Sequence, residues 1–250
     1  MTVIEKNFVD EILETGCGYY QGLSFEPAEL QQLLDFVHEQ WLMKIKEKCP
    51  THWKTFADAG ITRYHEYAHY LDHESTWPKS SRMFSKNISQ KIQQMSLMQS
   101  LEKIYGPIKI IDEENIGYEE FDWRLVRPNE LSDVGPVHAD SWFRLLGHGI
   151  HPPSHMKAIK IWVALCCEPG LNGLRVVPHS QKKQWRYHGE FRHGFVKPQI
   201  DENEDCLDLV LLKTPPGNVI VFHESLLHGG ALNRGKYTRV SMEFMAFVNK

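Results

Sequence analysis

Several absences narrow the field before any motif is read. The chain has no apolar run long enough to cross a bilayer. Its opening residues, MTVIEKNFVDEIL, lack the apolar stretch of a secretory signal, so a cytoplasmic protein with no membrane partner is expected. Positive charge is not in excess: 28 Lys and Arg against 32 Asp and Glu give a formal net charge of -4, which removes any bulk attraction to nucleic acid. Cysteine is scarce and unpaired in pattern. The five residues Cys17, Cys49, Cys166, Cys167 and Cys206 contain no CxxC pair and read as reduced thiols, neither a disulfide framework nor a zinc site. No repeat, low-complexity tract or linker divides the chain, so residues 1–250 are expected to form one domain, and 250 residues suffice to bury a core unaided. What the sequence has in plenty is histidine, at 14 positions.

Two stretches carry helical periodicity. From Pro27 to Lys48, Leu30, Leu33, Leu34, Val37, Trp41 and Ile45 form an apolar stripe, with proline in the first turn. From Ser85 to Tyr105, Ile88, Ile92, Met95, Met98, Leu101 and Ile104 keep the same spacing until Gly106-Pro107. Short β-prone runs then follow at Lys109–Ile111, Glu119–Arg127, Ala158–Cys167, Leu174–Val177, Leu209–Lys213, Asn218–Phe222 and Arg239–Val248, separated by proline, glycine and asparagine. Strands without intervening helices predict an antiparallel sandwich or barrel: an α+β protein, mostly β, with residues 1–107 largely helical and 108–250 forming the sheet core.

The segment Gly135-Pro-Val-His138-Ala-Asp140 places a histidine and a carboxylate two apart, on one face of extended chain. The pair alone is a weak signal. Further on, Pro216 to Phe222 reads as a strand leading through a turn to His228-Gly-Gly, with Arg239 opening a final strand eleven residues later. Two histidines and one carboxylate make a facial triad that leaves three positions open on iron(II), room for a bidentate 2-oxo acid and O2. A buried arginine suits the acid's far carboxylate, because its planar fork makes two parallel charge-assisted hydrogen bonds. His223 competes with His228 as distal ligand. His228 is preferred because it precedes Gly-Gly, whereas His223 lies in the apolar strand.

With these residues in view, Glu119 to Phe247 resembles the phytanoyl-CoA dioxygenase family of double-stranded β-helix (jelly-roll, cupin-like) oxygenases. The resemblance rests on the HxD pair, the strand Lys160-Ile-Trp-Val-Ala-Leu, the turn Asn172-Gly-Leu-Arg-Val-Val-Pro-His-Ser180, His228 and Arg239. It implies an enzyme that uses Fe(II), 2-oxoglutarate and O2, releases succinate and CO2, and hydroxylates an unactivated C–H bond, with His138, Asp140 and His228 as metal ligands and Arg239 on the cosubstrate. It further implies Trp162 as a wall of the cosubstrate site. A carboxylate at Asp140 favours hydroxylation over halogenation, since related halogenases carry a small residue there. Two departures stand out: His179 replaces the turn's usual glycine, and Gly230 stands where the family can offer a serine, a hydroxyl that Ser241 could supply instead.

Substrate recognition is less legible. Arg124 alternates with Phe121, Trp123 and Leu125 in its strand and is the favoured anchor. The insertion Ser141–His155 begins beside the HxD pair and offers Trp142, Arg144 and His148 as a lid or specificity loop, and a second excursion, Gln181 to Val196, carries Lys182, Lys183, Arg186, His188, Arg192 and His193. These suggest a small polar substrate bearing a phosphate, carboxylate or carrier group. Competing readings are a cupin-like metalloenzyme without 2-oxoglutarate and a noncatalytic jelly-roll binding module. A third is a zinc peptidase built on His65-Glu-Tyr-Ala-His69, an HExxH match that lacks any third ligand at the expected spacing.

Overall fold

The computed structural model describes residues 6–192 and 195–250. Its centre is a long antiparallel sheet whose strands are apolar on both faces. Strand β4 (Met156–Cys166) pairs along nearly its whole length with β11 (Arg239–Asn249) and on its other side with β9 (Asn218–His223). Beyond β9 lies β1 (Tyr19–Ser24), and the far edge of β11 takes β2 (Lys109–Ile110) and β3 (Asp122–Val126). A second sheet of β5 (Leu174–Val176), β8 (Val210–Leu211) and β10 (His228–Gly230) has the order β10-β5-β8 and faces it. Strands β6 (Tyr187–Arg192) and β7 (Phe195–Ile200) form a separate hairpin. This is the jelly-roll arrangement, mostly antiparallel with helices outside it.

Side-chain parity divides the large sheet into an outer and an inner face. Outward go Ile159, Ile161 and Val163 of β4, Val219 and Val221 of β9, and Val240, Met242 and Phe244 of β11. The helices cover them. Helix α1 (Lys6–Glu14) contributes Val9 and Leu13, and α2 (Pro27–Lys48) contributes Leu33, Val37, Trp41 and Ile45 at the predicted stripe positions. Helix α3 (Trp53–Ala59) adds Phe56, three single turns follow as α4 (Tyr64–Tyr67), α5 (His73–Thr76) and α6 (Lys79–Arg82), and α7 (Lys86–Ile92) and α8 (Ser96–Tyr105) complete the layer. Inward from the same strands go Trp162, Ala164, Ile220 and Phe222, which meet Leu174 and Val176 of the second sheet. No helix among the described residues is long and apolar enough to cross a membrane.

The helix expected over 85–105 is two helices. Met95 is extended, and Glu29 of α2 accepts hydrogen bonds from the Ser96 amide at 2.8 Å and from the Ser96 hydroxyl. A carboxylate from a neighbouring helix thereby does the work of an N-cap and starts α8 afresh. Three further strand regions lie outside the expected runs: β1, β10, and the β6–β7 hairpin, which begins in the expected loop and continues past Val196 to Ile200.

Candidate metal centre and cosubstrate pocket

Two backbone hydrogen bonds bring the expected ligands together. The His138 amide donates to the His228 carbonyl at 3.0 Å and the His228 amide donates back at 2.9 Å, so His138 forms an antiparallel bridge to the first residue of β10. Residues directly opposite in such a pair present their side chains on the same side. The rings lie 4.6 Å apart between centroids. Ala139 is extended, which returns Asp140 to the face of His138, and Asp140 then opens helix α9 (Asp140–Leu145). His138 Nε2 is 3.8 Å from Asp140 Oδ1, His228 Nε2 is 3.7 Å from Asp140 Oδ2, and one donor atom from each residue lies within 4.8 Å of the others.

The donor set fits a divalent metal. His138 Nδ1 and His228 Nδ1 each lie 2.9 Å from the carbonyl two residues back, of Pro136 and Leu226. Those carbonyls require the proton on Nδ1, which leaves the Nε2 lone pairs for a metal. Burial, together with the neighbouring His228, pushes His138 down to about 4. Burial would raise Asp140, yet Lys160, His228 and His138 outweigh it and hold the carboxyl below its ordinary range. Asp140 Oδ2 is buried with no hydrogen-bond partner, a cost that a bound cation would remove.

The pocket for a second group opens beside the triad, in a narrow cleft that reaches from His138, Asp140 and His228 to Trp162, Gly230 and Arg239. Arg239 is 2% exposed, and burial depresses its pKa to about 10. Its Nη1 donates to the Gly173 carbonyl at 2.7 Å, whereas its Nε has no partner. The Ser241 hydroxyl, two residues on and on the same strand face, is likewise buried and unpartnered. Gly230 neighbours the guanidinium: a Cβ there would stand 3.5 Å from both Arg239 Nη atoms, an ordinary contact. Gly173 is held at a φ of +130, and the turn is fastened by Asn172, whose Nδ2 donates to Asn233 Oδ1 at 2.8 Å, while Asn233 donates to the carbonyls of Val126 and Tyr237. The asparagine, the glycine and the arginine thus form one mechanical unit. His179, in the glycine's usual place, adopts φ +66, the left-handed conformation that glycine reaches freely.

Other expected residues lie elsewhere. Trp142 is buried in a small core with Val137 and Leu227 and stacks on Tyr187 at 4.4 Å, so it packs instead of facing the cleft. Arg144 is buried in an ion pair with Glu224, its Nη1 3.8 Å from Met245 Sδ. His148 sits half-buried in the turn after α9, its amide bonded to the Phe143 carbonyl at 2.9 Å. None of the three lines the cleft. Arg124 does. His223 pairs with Glu14 at 3.3 Å and accepts from the Ser225 amide, away from the triad. In the second excursion, Lys182, Lys183, Arg186 and His188 are exposed, and His193 lies outside the described residues. The HExxH segment is a single turn, α4, followed by a tight 3-10 turn: His65 bonds to Thr238, Glu66 pairs with Arg63, and no third ligand joins them among the described residues.

The sequence reading passed over Lys160 and Glu243, which also line the cleft. Their signal was parity: Lys160 interrupts an apolar strand two positions before Trp162, and Glu243 follows Arg239 and Ser241 at steps of two.

The fold and the triad define a double-stranded β-helix oxygenase. The sequence model of the phytanoyl-CoA dioxygenase (PhyH) family matches residues 25–241, and the chain belongs to that family. It is an enzyme of the Fe(II)- and 2-oxoglutarate-dependent dioxygenases, with O2 as the second cosubstrate. No curated protein is similar enough in sequence to match. Among solved structures the fold is similar to the non-heme α-ketoglutarate-dependent carbocyclase SnoK from nogalamycin biosynthesis, with 12% identity over 98% of this chain and 84% of that one and a TM-score of 0.57. It is also similar to EctD from S. alaskensis, solved with 2-oxoglutarate and 5-hydroxyectoine, with 13% identity over 99% and 78% and a TM-score of 0.57. The non-heme monooxygenase ThoJ, in its apo form, gives 15% identity over 96% and 77% and a TM-score of 0.56.

Proposed function

We propose that His138, Asp140 and His228 hold iron(II), that Arg239 with Ser241 and Trp162 holds 2-oxoglutarate, and that the enzyme hydroxylates an unactivated C–H bond of a small polar metabolite carrying an anionic group. The observation that carries this reading is the set of unmet polar atoms on residues that line one cleft, Asp140 Oδ2, both histidine Nε2 lone pairs and Arg239 Nε, with the unpartnered Ser241 hydroxyl on the same strand face as Arg239. When bound, the iron, 2-oxoglutarate and O2 supply the oxidation, the cosubstrate leaving as succinate and CO2 while one oxygen atom enters the substrate.

The chain's own part is geometric and electrostatic. The Pro136 and Leu226 carbonyls fix the histidine tautomers, so the ligand atoms need no reorganisation on metal binding. Gly173 orients the Arg239 fork, which selects for the charge of a far carboxylate. The walls of Trp162 and Leu174 keep water away from the reacting centre. Five free thiols support a reducing, cytosolic setting.

The test is anaerobic addition of 2-oxoglutarate to the iron(II)-loaded protein, watching for the weak visible metal-to-ligand charge-transfer band. A band in the wild type that needs more 2-oxoglutarate in Arg239→Ala upholds the reading. Iron binding without the band would make this a cupin-like enzyme that does not use 2-oxoglutarate, and no iron binding would leave a noncatalytic ligand-binding module.

A further inference from the structure

The cleft holds charge that neither the metal nor the cosubstrate employs. Ser241 of β11 lies opposite Arg124 of β3, and Glu243 of β11 lies opposite Trp162 of β4, two positions from Lys160. Strand parity therefore turns Arg124, Glu243 and Lys160 to the same inward face as Arg239. Lys160 is 6% exposed, an unusual place for an ammonium unless it has a partner.

The partners on hand are insufficient. Lys160 Nζ stands 3.9 Å from Glu243 Oε1, and Arg124 Nη1 stands 4.0 Å from the same oxygen. Both distances exceed a hydrogen bond. Among the described residues neither cation's nitrogens make a shorter polar contact. Asp140, whose field also acts on Lys160, is committed to the triad. Two cations thus share the one carboxylate that lines the cleft outside the triad, Glu113 and Asp122 act on Lys160 only from outside hydrogen-bond reach, and a set of unused N–H donors lines a cleft that ends at the metal site. Replacing that lost hydration is the condition for keeping a buried ammonium charged.

We infer that Arg124 and Lys160 bind an oxyanion of the organic substrate, a carboxylate or phosphate, and that Glu243 spaces and orients the two cations while the site is empty. The inference rests on the oxygenase reading above and adds to it the chemical class of the group that anchors the substrate, Lys160 as its principal partner, and Glu243 as a positioning residue. An oxyanion held there keeps the rest of the substrate in the cleft that the triad lines.

The experiment uses the full chain loaded with iron(II) and saturating 2-oxoglutarate under argon. Inorganic phosphate and acetate are titrated in turn, and binding is read from the shift in thermal midpoint and from perturbation of the charge-transfer band. In the wild type at least one anion gives a saturable response; a preference for phosphate assigns a phosphorylated substrate, a preference for acetate a carboxylic acid. Lys160→Met and Arg124→Met, which keep the apolar stems, each weaken the anion by about tenfold, the loss of one charge-assisted contact. Glu243→Gln tightens it, because the competing carboxylate is gone. A purely structural network would weaken in all three variants, and that result would overturn the inference, as would a wild type indifferent to both anions. Loss of 2-oxoglutarate affinity in Lys160→Met, with anion binding intact, reassigns Lys160 to the cosubstrate and also overturns it. If the band forms and no anion binds, this inference alone falls; if the band never forms in the wild type, the oxygenase reading falls and takes the inference with it.

Discussion

His223 and His228 sit at the two ends of one turn, and the backbone separates their roles. His228 exchanges both amide hydrogen bonds with His138, which aims its ring at Asp140, whereas His223 is drawn off by Glu14. Metal analysis is expected to show His228→Ala stripped of iron and His223→Ala still loaded. The sequence carried this distinction in the Gly-Gly that follows His228, a turn signal that His223, inside an apolar strand, lacks. It did not carry the roles of Trp142 and Arg144: an aromatic and a cation beside the HxD pair look like substrate contacts until the Tyr187 ring and the Glu224 carboxylate, both distant in sequence, are seen to occupy them. At Arg239 a lysine is no substitute, since a point charge cannot reproduce a two-pronged contact. Arg239→Lys and Arg239→Ala are both expected to raise the 2-oxoglutarate KM, the alanine by roughly a hundredfold if two charge-assisted bonds of about 1.5 kcal/mol each are lost. An unchanged KM in the alanine variant would remove Arg239 from the cosubstrate site.

Elements were legible in proportion to how much of their own stabilisation they carry. Helix α2 and the strands β4, β9 and β11 are written in apolar periodicity and were located within a few residues. By contrast β1 has little apolar alternation and is a strand because β9 offers it an edge, and β6 and β7 pair with each other along a largely exposed face. The break between α7 and α8 depends on Glu29, a residue more than sixty positions away that no local window can weigh. Glu29→Ala is expected to destabilise the protein by about 1 kcal/mol, the usual worth of an N-cap, in urea denaturation. The turn at Gly173 offers a sharper test. A Cβ there would stand 2.7 Å from Thr214 Oγ1 at a φ of +130, so Gly173→Ala is expected to lower both the melting temperature and 2-oxoglutarate affinity, through the carbonyl that holds Arg239. Normal cosubstrate affinity in a folded Gly173→Ala protein would refute that linkage.

For the molecule as a whole, the largest core joins Leu33, Trp41 and Phe56 of the helices to Trp123, Ile161 and Val221 of the sheet. Neither part can expose that surface and stay folded, so one cooperative urea transition is expected, with tryptophan fluorescence and far-ultraviolet circular dichroism coinciding. Separate transitions would mean two domains. The same boundary is crossed by a polar chain in which Tyr64 bonds to His73 Nδ1 at 3.0 Å and His73 Nε2 lies 3.4 Å from Asp133. Burial lowers the pKa of His73 from 6.5 to about 4. The unfolded chain therefore takes up a proton near pH 6.5 that the folded chain refuses until about pH 4, so this residue's contribution is complete above the first value and drains away toward the second. The slope is at most about 1.4 kcal/mol per pH unit. His73→Phe is expected to flatten stability against pH in that window, as measured by denaturation at each pH.

Strand β11 carries Arg239, Ser241 and Glu243 at steps of two on a single inward row. Their spacing is a property of the pleat, about 6.8 Å per step, and not of any side chain. Inserting or deleting one residue within β11 would turn the whole row outward at once. Diversification of this enzyme toward new substrates is therefore confined to exchanging residues on the row and its neighbours, with chain-length changes relegated to the loops. If Arg124, Lys160 and Glu243 hold the substrate as proposed, exchanging them is expected to change what is oxidised while Arg239 is left alone, as product analysis of the variants would read.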